Sequence, residues 1–297
     1  MSASPTSASP PGPIVTRLRD AGCVFAEDEA RLLISAARTP AGLAAMVEQR
    51  AAGHPLEHVI GWAEFCGLRL AVEPGVFIPR RRTEFLVRQA TALARRAAGP
   101  ARTGNAGPAR NRDASPARPR AVVVLDLCCG SGAVGAALAA AVDRVELHAA
   151  DIDPAAVRCA QRNVAPAGGQ VCQGDLYAPL PERLRGRIDI LAANVPYVPT
   201  GAVGLLPPEA RIHEPRVALD GGVDGLDVLR RVAAAAPQWL APGGHLLFET
   251  SEDQAPQAVE TVAHRGLVPR VARSSALNTT VVIGTRPSRG PRPPAAP

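Results

Sequence analysis

Apolar positions along the chain change from a helical to a strand spacing. Between Ile14 and about Arg50 they recur every three or four residues, which predicts a small helical domain. Residues 64–78 instead alternate between apolar and polar side chains, which predicts a β-hairpin. A helix with one apolar side is expected to follow from about Thr83 to Ala97.

Strand and helix patterns alternate in the second half of the chain. Val122–Leu127 is an apolar run apart from Asp126, which is typical of a parallel strand buried on both faces. Further strands are predicted at Val145–Ala150, Val171–Gln173, Ile188–Ala193, His245–Glu249 and Thr279–Gly284, and helices at Gly132–Ala141, Pro154–Asn163, Leu226–Ala236 and Val259–Gly266. The alternation predicts an α/β fold with a doubly wound sheet, in which ligands bind at the carboxyl ends of the strands.

Three segments lack hydrophobic periodicity and are dense in proline, glycine, alanine, serine and arginine. They are residues 1–13, 99–120 and 286–297, and we predict that they form a disordered leader, linker and tail. The remaining chain then divides into a helical domain at 14–62, a hairpin with its connecting helix at 63–98, and an α/β domain at 121–285.

Composition and charge exclude several classes of function. The 297 residues are 46% hydrophobic but contain no apolar run long enough to cross a membrane. The formal charge is +6, yet residues 99–120 carry a net charge of +4 and the tail three more arginines, so the folded part is close to neutral. Direct nucleic-acid binding is therefore not expected. The six cysteines form no Cys-x-x-Cys pair, which predicts free thiols in a cytoplasmic protein and no metal site.

A glycine-rich turn joins the first strand of the α/β domain to a helix. The turn reads Asp126-Leu127-Cys128-Cys129-Gly130-Ser131-Gly132, and its glycines let the backbone approach a ligand beside free N–H groups of the helix. Asp151 ends the second strand, where a carboxylate can accept hydrogen bonds from both hydroxyls of a ribose. These residues suit an adenosine-containing cofactor, and from them alone a dinucleotide or a plain tight turn stays open.

Polar residues also follow the third and fourth strands. Asp175 comes after the third strand and could accept a hydrogen bond from an adenine amino group. The fourth strand is followed by Asn194-Val195-Pro196-Tyr197. The Asn194 oxygen and a nearby carbonyl can accept both N–H groups of an amide or amine, which aims its nitrogen at an electrophile. Tyr197 can hold a planar group by contact with its ring, although these residue types are also common in ordinary loops.

Asn194–Tyr197 resembles the [Asn/Asp]-Pro-Pro-[Tyr/Phe] motif of amino methyltransferases, and the wider sequence resembles the HemK-type release-factor glutamine methyltransferases. The ordered matches extend over about residues 14–284 and include Pro55-Leu56, Val59–Gly61, Gly75–Arg80, Thr83-Glu84, Leu125–Gly132, Asp151, Asn163, Glu214–Arg216, Gly221–Leu226 and Gly243-Gly244.

The resemblance implies a Rossmann-like class I methyltransferase domain that follows a small helical domain and a β-hairpin linker. The implied cofactor is S-adenosyl-L-methionine, and the implied acceptor is the glutamine of a Gly-Gly-Gln loop in a peptide chain release factor. We expect a monomer whose partner is this protein substrate. Gly168-Gly169-Gln170 of this chain repeats the triplet, but it precedes a strand and is taken as coincidence.

The resemblance also assigns roles to residues of this chain. Asn194, Pro196 and Tyr197 are the expected catalytic residues, and together with Val195 they form the expected substrate site. The expected cofactor contacts are Asp126, Cys128, Gly130, Ser131, Gly132, Asp151, Ile152, Asp175, Leu176 and Asn194.

The sequence departs from the family pattern at several positions. Val195 replaces the first proline of the motif, Cys128 replaces the first glycine of a Gly-x-Gly-x-Gly, and Arg81-Arg82 replaces Pro-Glu within Pro-Arg-Pro-Glu-Thr-Glu. These departures leave open a divergent paralogue with another protein substrate and a non-catalytic docking module that binds S-adenosylmethionine. An amine methyltransferase acting on a nucleic-acid base is a further alternative, because the same four-residue motif also serves that reaction. A dinucleotide-dependent oxidoreductase is the weakest alternative, because no acid/base pair accompanies the glycine turn.

Overall fold

The computed structural model describes residues 11–98 and 120–288. Nearly all of the predicted leader, linker and tail lies outside these residues. Three boundaries differ from the prediction, and one of them is Arg120, which pairs with Asp189. The first helix already begins at Pro11, and the Arg286 backbone pairs with Gly243 and Gly244.

Helices surround a sheet in the second half of the chain and form a separate cluster in the first. The helices are α1 (Pro11–Asp20), α2 (Ala26–Ala36), α3 (Pro40–Ala51), α4 (Leu56–Ile60), α5 (Glu84–Ala97), α6 (Ala133–Ala141), α7 (Pro154–Val164), α8 (Pro208–His213), α9 (Asp227–Trp239) and α10 (Ala255–Ala263). The strands are β1 (Trp62–Phe65), β2 (Leu68–Ala71), β3 (Val122–Leu127), β4 (Val145–Asp151), β5 (Gln170–Gln173), β6 (Ile188–Ala193), β7 (Leu240–Thr250), β8 (Val268–Ser274) and β9 (Thr279–Thr285).

The large sheet has seven strands in the order β5-β4-β3-β6-β7-β9-β8. β5, β4, β3, β6 and β7 are parallel, whereas β9 runs antiparallel to both of its neighbours. The five parallel strands therefore end at one edge of the sheet, where ligands bind in such folds. This arrangement confirms the Rossmann-like α/β fold that the sequence predicts.

Alternate residues of the central strands pack against helices on opposite faces. On β3, Val122 and Val124 belong to the core cluster that includes α5 and α6, whereas Val123 and Leu125 belong to the cluster that includes α9 and α10. All six residues of β3 and of β6 are buried. This explains why all residues of the two strands except Asp126 and Asp189 are apolar.

Arg50 ties the helical cluster together and joins it to the segment that follows β6. Its guanidinium lies 2.7 Å from Glu29 of α2 and 2.7 Å from Glu209 of α8, and it also donates to the carbonyl of His54. Arg50 and Glu29 are both buried, so removal of either partner would leave a charge without compensation.

The hairpin β1–β2 is fixed to the α/β domain through one asparagine of α7. Asn163 accepts the Ala71 N–H at 2.8 Å and donates to the Ala71 and Ser131 carbonyls, each also at 2.8 Å. Because Ser131 belongs to the glycine-rich turn after β3, Asn163 fixes the turn relative to the hairpin. The hairpin itself is shorter than the alternation of residues 64–78 suggests, since β2 ends at Ala71.

Candidate functional site

A cavity of about 460 Å³ lies at the carboxyl ends of the parallel strands. Its wall combines the glycine-rich turn, residues that follow β4, β5 and β6, and the segment that leads from the hairpin to α5. The predicted site residues that line it are Asp126, Cys128, Gly130, Ser131, Asp151, Ile152, Asp175, Leu176, Asn194, Val195, Pro196 and Tyr197. Gly132 of the prediction lies behind this wall.

The glycine-rich turn requires left-handed backbone conformations at three positions. Gly130 and Gly132 have φ angles of +54° and +75°, and Cys128 adopts +55° although it carries a side chain. A Cβ atom on Gly132 would lie 3.0 Å from Cβ and 3.1 Å from Cα of Ala160 in α7. Gly132 therefore permits close packing of the turn on α7. At Gly130 the nearest atom to such a Cβ is in Phe77, at 3.9 Å, so the backbone there faces open space in the cavity.

Asp151 ends β4 and is hydrogen-bonded to the turn. Its Oδ2 accepts the Gly130 N–H at 2.8 Å, and its Oδ1 accepts the Asp153 N–H at 2.9 Å. Burial raises the pKa of this carboxyl, while the two backbone donors act in the opposite direction. Each carboxylate oxygen can accept a further hydrogen bond from a ligand.

Asp126 lies on β3 beneath the turn and is almost fully buried. Its Oδ2 accepts the Gly135 N–H at 2.8 Å, whereas Oδ1 has no hydrogen-bond partner within the described ranges. Burial raises the pKa of Asp126 to about 8, and the nearby charge of Asp151 adds to this effect. A cation or a hydrogen-bond donor in the cavity would satisfy Oδ1 and favour the ionised carboxylate.

The residues after β4 and β5 form another part of the cavity wall. Ile152 is 51% exposed and lines the wall, which makes it available to a flat apolar group. Asp175 also lines the wall, but its carboxylate forms an ion pair with Arg231 of α9, a contact that the sequence did not indicate. Leu176 has a φ of +48°, so the chain turns sharply just after Asp175.

Asn194 follows β6 directly and lines the cavity. Its Oδ1 is buried and has no hydrogen-bond partner among the residues that the structure includes. Such an atom is costly unless a ligand satisfies it. Val195, which stands in place of the motif's first proline, is buried in the core cluster that contains α9.

Tyr197 is held by two charged residues from distant parts of the chain. Its hydroxyl donates to Glu249 Oε1 at 2.9 Å and accepts from Arg82 Nη2 at 2.6 Å. Its backbone carbonyl accepts the Gln254 side-chain amide at 2.9 Å. Burial raises the pKa of the Tyr197 hydroxyl, with the Glu249 charge as the next cause. Tyr197 therefore stays protonated near neutral pH.

Several residues of the cavity wall were not assigned as site residues from the sequence. Phe77 and Arg80 belong to the segment before α5, and the buried Glu214 holds this segment by accepting the Ile78 N–H at 3.1 Å and pairing with Arg80. Arg82 and Glu249 complete the surroundings of Tyr197. The motif Gly75–Arg80 marked the right segment, but only the tertiary contacts distinguish which of its side chains face the cavity.

Neither a metal site nor a membrane-spanning helix is found within residues 11–98 and 120–288. No group of three or more His, Cys, Asp or Glu residues there is arranged to hold a metal ion. No helix in these ranges is both long and apolar enough to span a bilayer.

The chain is similar to known methyltransferases. A family model described as "Methyltransferase small domain" matches residues 115–206. A release factor glutamine methyltransferase of Mycolicibacterium smegmatis is 37% identical over 244 residues, which cover 80% of this chain and 78% of that protein. One of Geobacter sulfurreducens is 39% identical over 212 residues, which cover 71% of this chain and 65% of that protein, slightly under two thirds of its length.

A relative with a different acceptor is also similar. It is a 4-amino-L-phenylalanine/4-methylamino-L-phenylalanine methyltransferase of Streptomyces pristinaespiralis, 35% identical over 207 residues that cover 68% of this chain and 63% of that protein. The relatives therefore agree on methyl transfer and differ in the molecule that receives the methyl group.

Proposed function

The chain belongs to the HemK-type family of release factor glutamine methyltransferases, and we propose that it transfers a methyl group from S-adenosyl-L-methionine to the side-chain amide nitrogen of a glutamine in a peptide chain release factor. The observation that carries this proposal is the position of Asn194. Asn194 lines the same cavity as the glycine-rich turn, and its buried Oδ1 has no partner among the described residues, so an acceptor group bound to Asn194 would lie next to the cofactor site.

The cavity has the groups that S-adenosyl-L-methionine requires. Gly130 leaves room for the cofactor against the backbone, Asp151 can accept the ribose hydroxyls, and Ile152 can cover the adenine. Oδ1 of Asp126 offers a carboxylate oxygen to a cationic group of the cofactor. When bound, S-adenosylmethionine supplies an electrophilic methyl group on its sulfonium. The remaining predicted contacts, Cys128, Ser131, Asp175 and Leu176, shape the same wall.

The acceptor residues would act by orienting a weak nucleophile. The lone pair of an amide nitrogen is delocalised, so Asn194 Oδ1 must hold the N–H group and favour positive charge on nitrogen during transfer. In such a transfer the nitrogen would gain the methyl carbon as the sulfonium loses it, and the nitrogen would then release one of its two protons to water. Tyr197 and Phe77, two aromatic residues of the cavity wall, can contact the planar amide.

The surface around the cavity favours a protein acceptor over a small molecule. Leu205, Ile212 and Val217 are 85%, 64% and 52% exposed, and Val217 also lines the cavity. Exposed apolar side chains at the rim of a cavity are typical of protein contact sites. We propose that this rim and the helical domain at 14–62 together dock the release factor, and that the α/β domain at 121–285 performs the transfer.

A base of a nucleic acid is the second candidate acceptor, because related motifs can orient an exocyclic amine. The near-neutral charge of the chain outside 99–120 and 286–297 provides little attraction for phosphates. We therefore propose no direct nucleic-acid partner. Since the proposed substrate is a translation factor, we also propose that the enzyme acts in the cytoplasm, as a monomer.

The test is methyl transfer from labelled S-adenosylmethionine to purified release factor, followed by mass spectrometry of the Gly-Gly-Gln peptide. We expect one methyl group on that glutamine and none on a release factor with the glutamine changed to alanine. Parallel reactions contain total RNA, duplex DNA, and 4-amino-L-phenylalanine. Label in one of these reactions, with none in the release factor, would overturn the proposed acceptor and identify its replacement.

A further inference from the structure

Two charged side chains from segments far apart in the sequence meet at Tyr197. Arg82 lies in the short helical turn just before α5, and Glu249 is the penultimate residue of β7. The Glu249 side chain is only 2% exposed, whereas that of Arg82 is 45% exposed and lines the cavity. A buried carboxylate requires a partner, and Arg82 Nε supplies it at 2.7 Å.

The Tyr197 hydroxyl both donates and accepts a hydrogen bond, and a third residue holds its acceptor Glu249. The hydroxyl donates to Glu249 Oε1 at 2.9 Å and accepts from Arg82 Nη2 at 2.6 Å, while Thr83 Oγ1 donates to Glu249 Oε2 at 2.8 Å. The guanidinium carbon of Arg82 also lies 5.9 Å from the centre of the Tyr197 ring. These contacts fix both the tilt of the ring and the distance of its edge from β7.

We propose that Arg82 is a positioning residue for methyl transfer, which acts by holding Tyr197 as a rigid wall of the acceptor site. This inference rests on the proposed function, since it assigns Tyr197 to the acceptor site. The effect belongs to the transition state: a mobile ring still admits the acceptor amide but aligns it less often with the methyl group. Loss of Arg82 therefore lowers kcat more than it raises KM.

The geometry requires an arginine. One guanidinium donates through Nε to Glu249 and through Nη2 to Tyr197, and its planar fork fixes the angle between the two bonds. A lysine at position 82 keeps the positive charge beside Glu249 but cannot reproduce both directed bonds. We therefore expect the Arg82→Lys variant to keep more of the parent's stability than of its turnover.

Kinetics of Arg82→Met, Arg82→Lys and Tyr197→Phe test the proposal. We expect Arg82→Met to lower kcat by about tenfold, with the KM for release factor and the Kd for S-adenosylhomocysteine within about twofold of the parent. The kcat of Arg82→Lys should fall between those of the parent and of Arg82→Met. The Arg82→Met/Tyr197→Phe double variant should have a kcat only slightly lower than that of Arg82→Met alone. Full kcat in a folded Arg82→Met or Arg82→Lys variant would overturn the positioning role.

Arg120→Met is the matched control. Arg120 also pairs with a buried carboxylate, that of Asp189, but it does so at the amino end of β3, away from the cavity. If Arg82 had only a structural role, the two variants would lose stability and turnover in parallel. We expect instead that Arg82→Met lowers kcat by more than its loss of melting temperature accounts for, and that Arg120→Met does not.

Fluorine NMR makes the test independent of the acceptor. The chain has two tyrosines, so 3-fluorotyrosine labelling gives two resonances, which Tyr177→Phe assigns. Arg82→Met should shift or broaden the Tyr197 resonance and leave that of Tyr177, which is stacked on Trp239, unchanged. An unchanged Tyr197 resonance would overturn the inference. A different result is that the parent protein fails to methylate release factor while Arg82→Met still changes the Tyr197 resonance. That result would overturn the proposed acceptor but not the positioning of Tyr197 by Arg82.

Discussion

The Gly130 N–H donates to Asp151 Oδ2 at 2.8 Å, so the turn after β3 and the acidic residue at the end of β4 form one hydrogen-bonded unit. The carboxylate therefore supports the backbone that would face the cofactor and also offers oxygens to the ribose. Loss of its side chain should affect cofactor binding in both ways.

Asp151→Ala should weaken binding of S-adenosylhomocysteine by about 1–3 kcal/mol, the range for loss of a charged hydrogen-bond acceptor. Isothermal calorimetry measures the change, with circular dichroism to verify folding. Asp143→Ala, an exposed aspartate in the turn before β4, is the control and should bind as the parent does. A folded Asp151→Ala protein with an unchanged Kd would remove the ribose role.

Gly132→Ala should destabilise the protein more than Gly168→Ala. Both glycines have positive φ, but a Cβ on Gly132 would meet Ala160, whereas a Cβ on Gly168 has no atom within 4 Å. The shared backbone strain costs about 1–2 kcal/mol, and the clash adds about 1–3 kcal/mol at Gly132 alone. Urea unfolding of the two variants measures the difference. Equal losses would show that the turn can move away from α7 without cost.

Asp126 should make the stability of the protein depend on pH, and it should also release a proton when the cofactor binds. The pKa of this carboxyl is raised to about 8, so the folded protein holds a proton that the unfolded chain loses near pH 4. Stability from this group is thus fully present below pH 4 and declines as pH rises towards 8. Asp126→Asn should flatten that decline in denaturation curves.

The same raised pKa gives a binding signature for the cationic cofactor. A sulfonium or ammonium near Oδ1 lowers the pKa of Asp126, so binding of S-adenosylmethionine at pH 7 should release up to about one proton. Calorimetry in buffers of different ionisation enthalpy measures that number. Release of the same number of protons by Asp126→Asn would assign the effect to another group.

The sequence predicted the buried strands of the large sheet well and the edge strand β8 poorly. β3 and β6 were placed with their observed bounds because every residue in them is apolar or buried. The edge strand β8 was missed, since none of its residues is fully buried and Pro269 interrupts its pattern. β7 was expected from His245 but begins at Leu240, because the proline and glycines near its start disguise the strand.

The candidate site was predictable where its residues are local in sequence. The glycine-rich turn and Asn194–Tyr197 each follow a recognisable strand, so their place at one edge of the sheet follows from topology. The contact between Arg82 and Glu249 joins residues 167 positions apart, and no local pattern marks it. The pairing of Asp175 with Arg231 is likewise set by the packing of α9. The adenine contact predicted for Asp175 would therefore compete with this ion pair.

Leu205→Asp should weaken docking of the release factor without affecting the cofactor. Leu205 is exposed at the proposed rim, so a charge there should raise the KM for release factor about five- to tenfold, as for a moderate interface contact. The Kd for S-adenosylhomocysteine should not change. Val268→Asp, on the exposed face of the edge strand β8, is the control. Equal KM values for the two variants would place the docking surface elsewhere.

Asn194→Ala tests the acceptor site directly. If Oδ1 orients the acceptor nitrogen, its loss should lower turnover by about 10²-fold or more, the size expected for one preorganised polar contact in a transition state. Cofactor affinity should change much less, because the turn and Asp151 remain. Asn194→Asp should be intermediate, since a carboxylate still accepts the hydrogen bond. Single-turnover methylation of release factor, run beside cofactor titrations, separates these effects, and parental turnover in Asn194→Ala would remove Asn194 from the acceptor site.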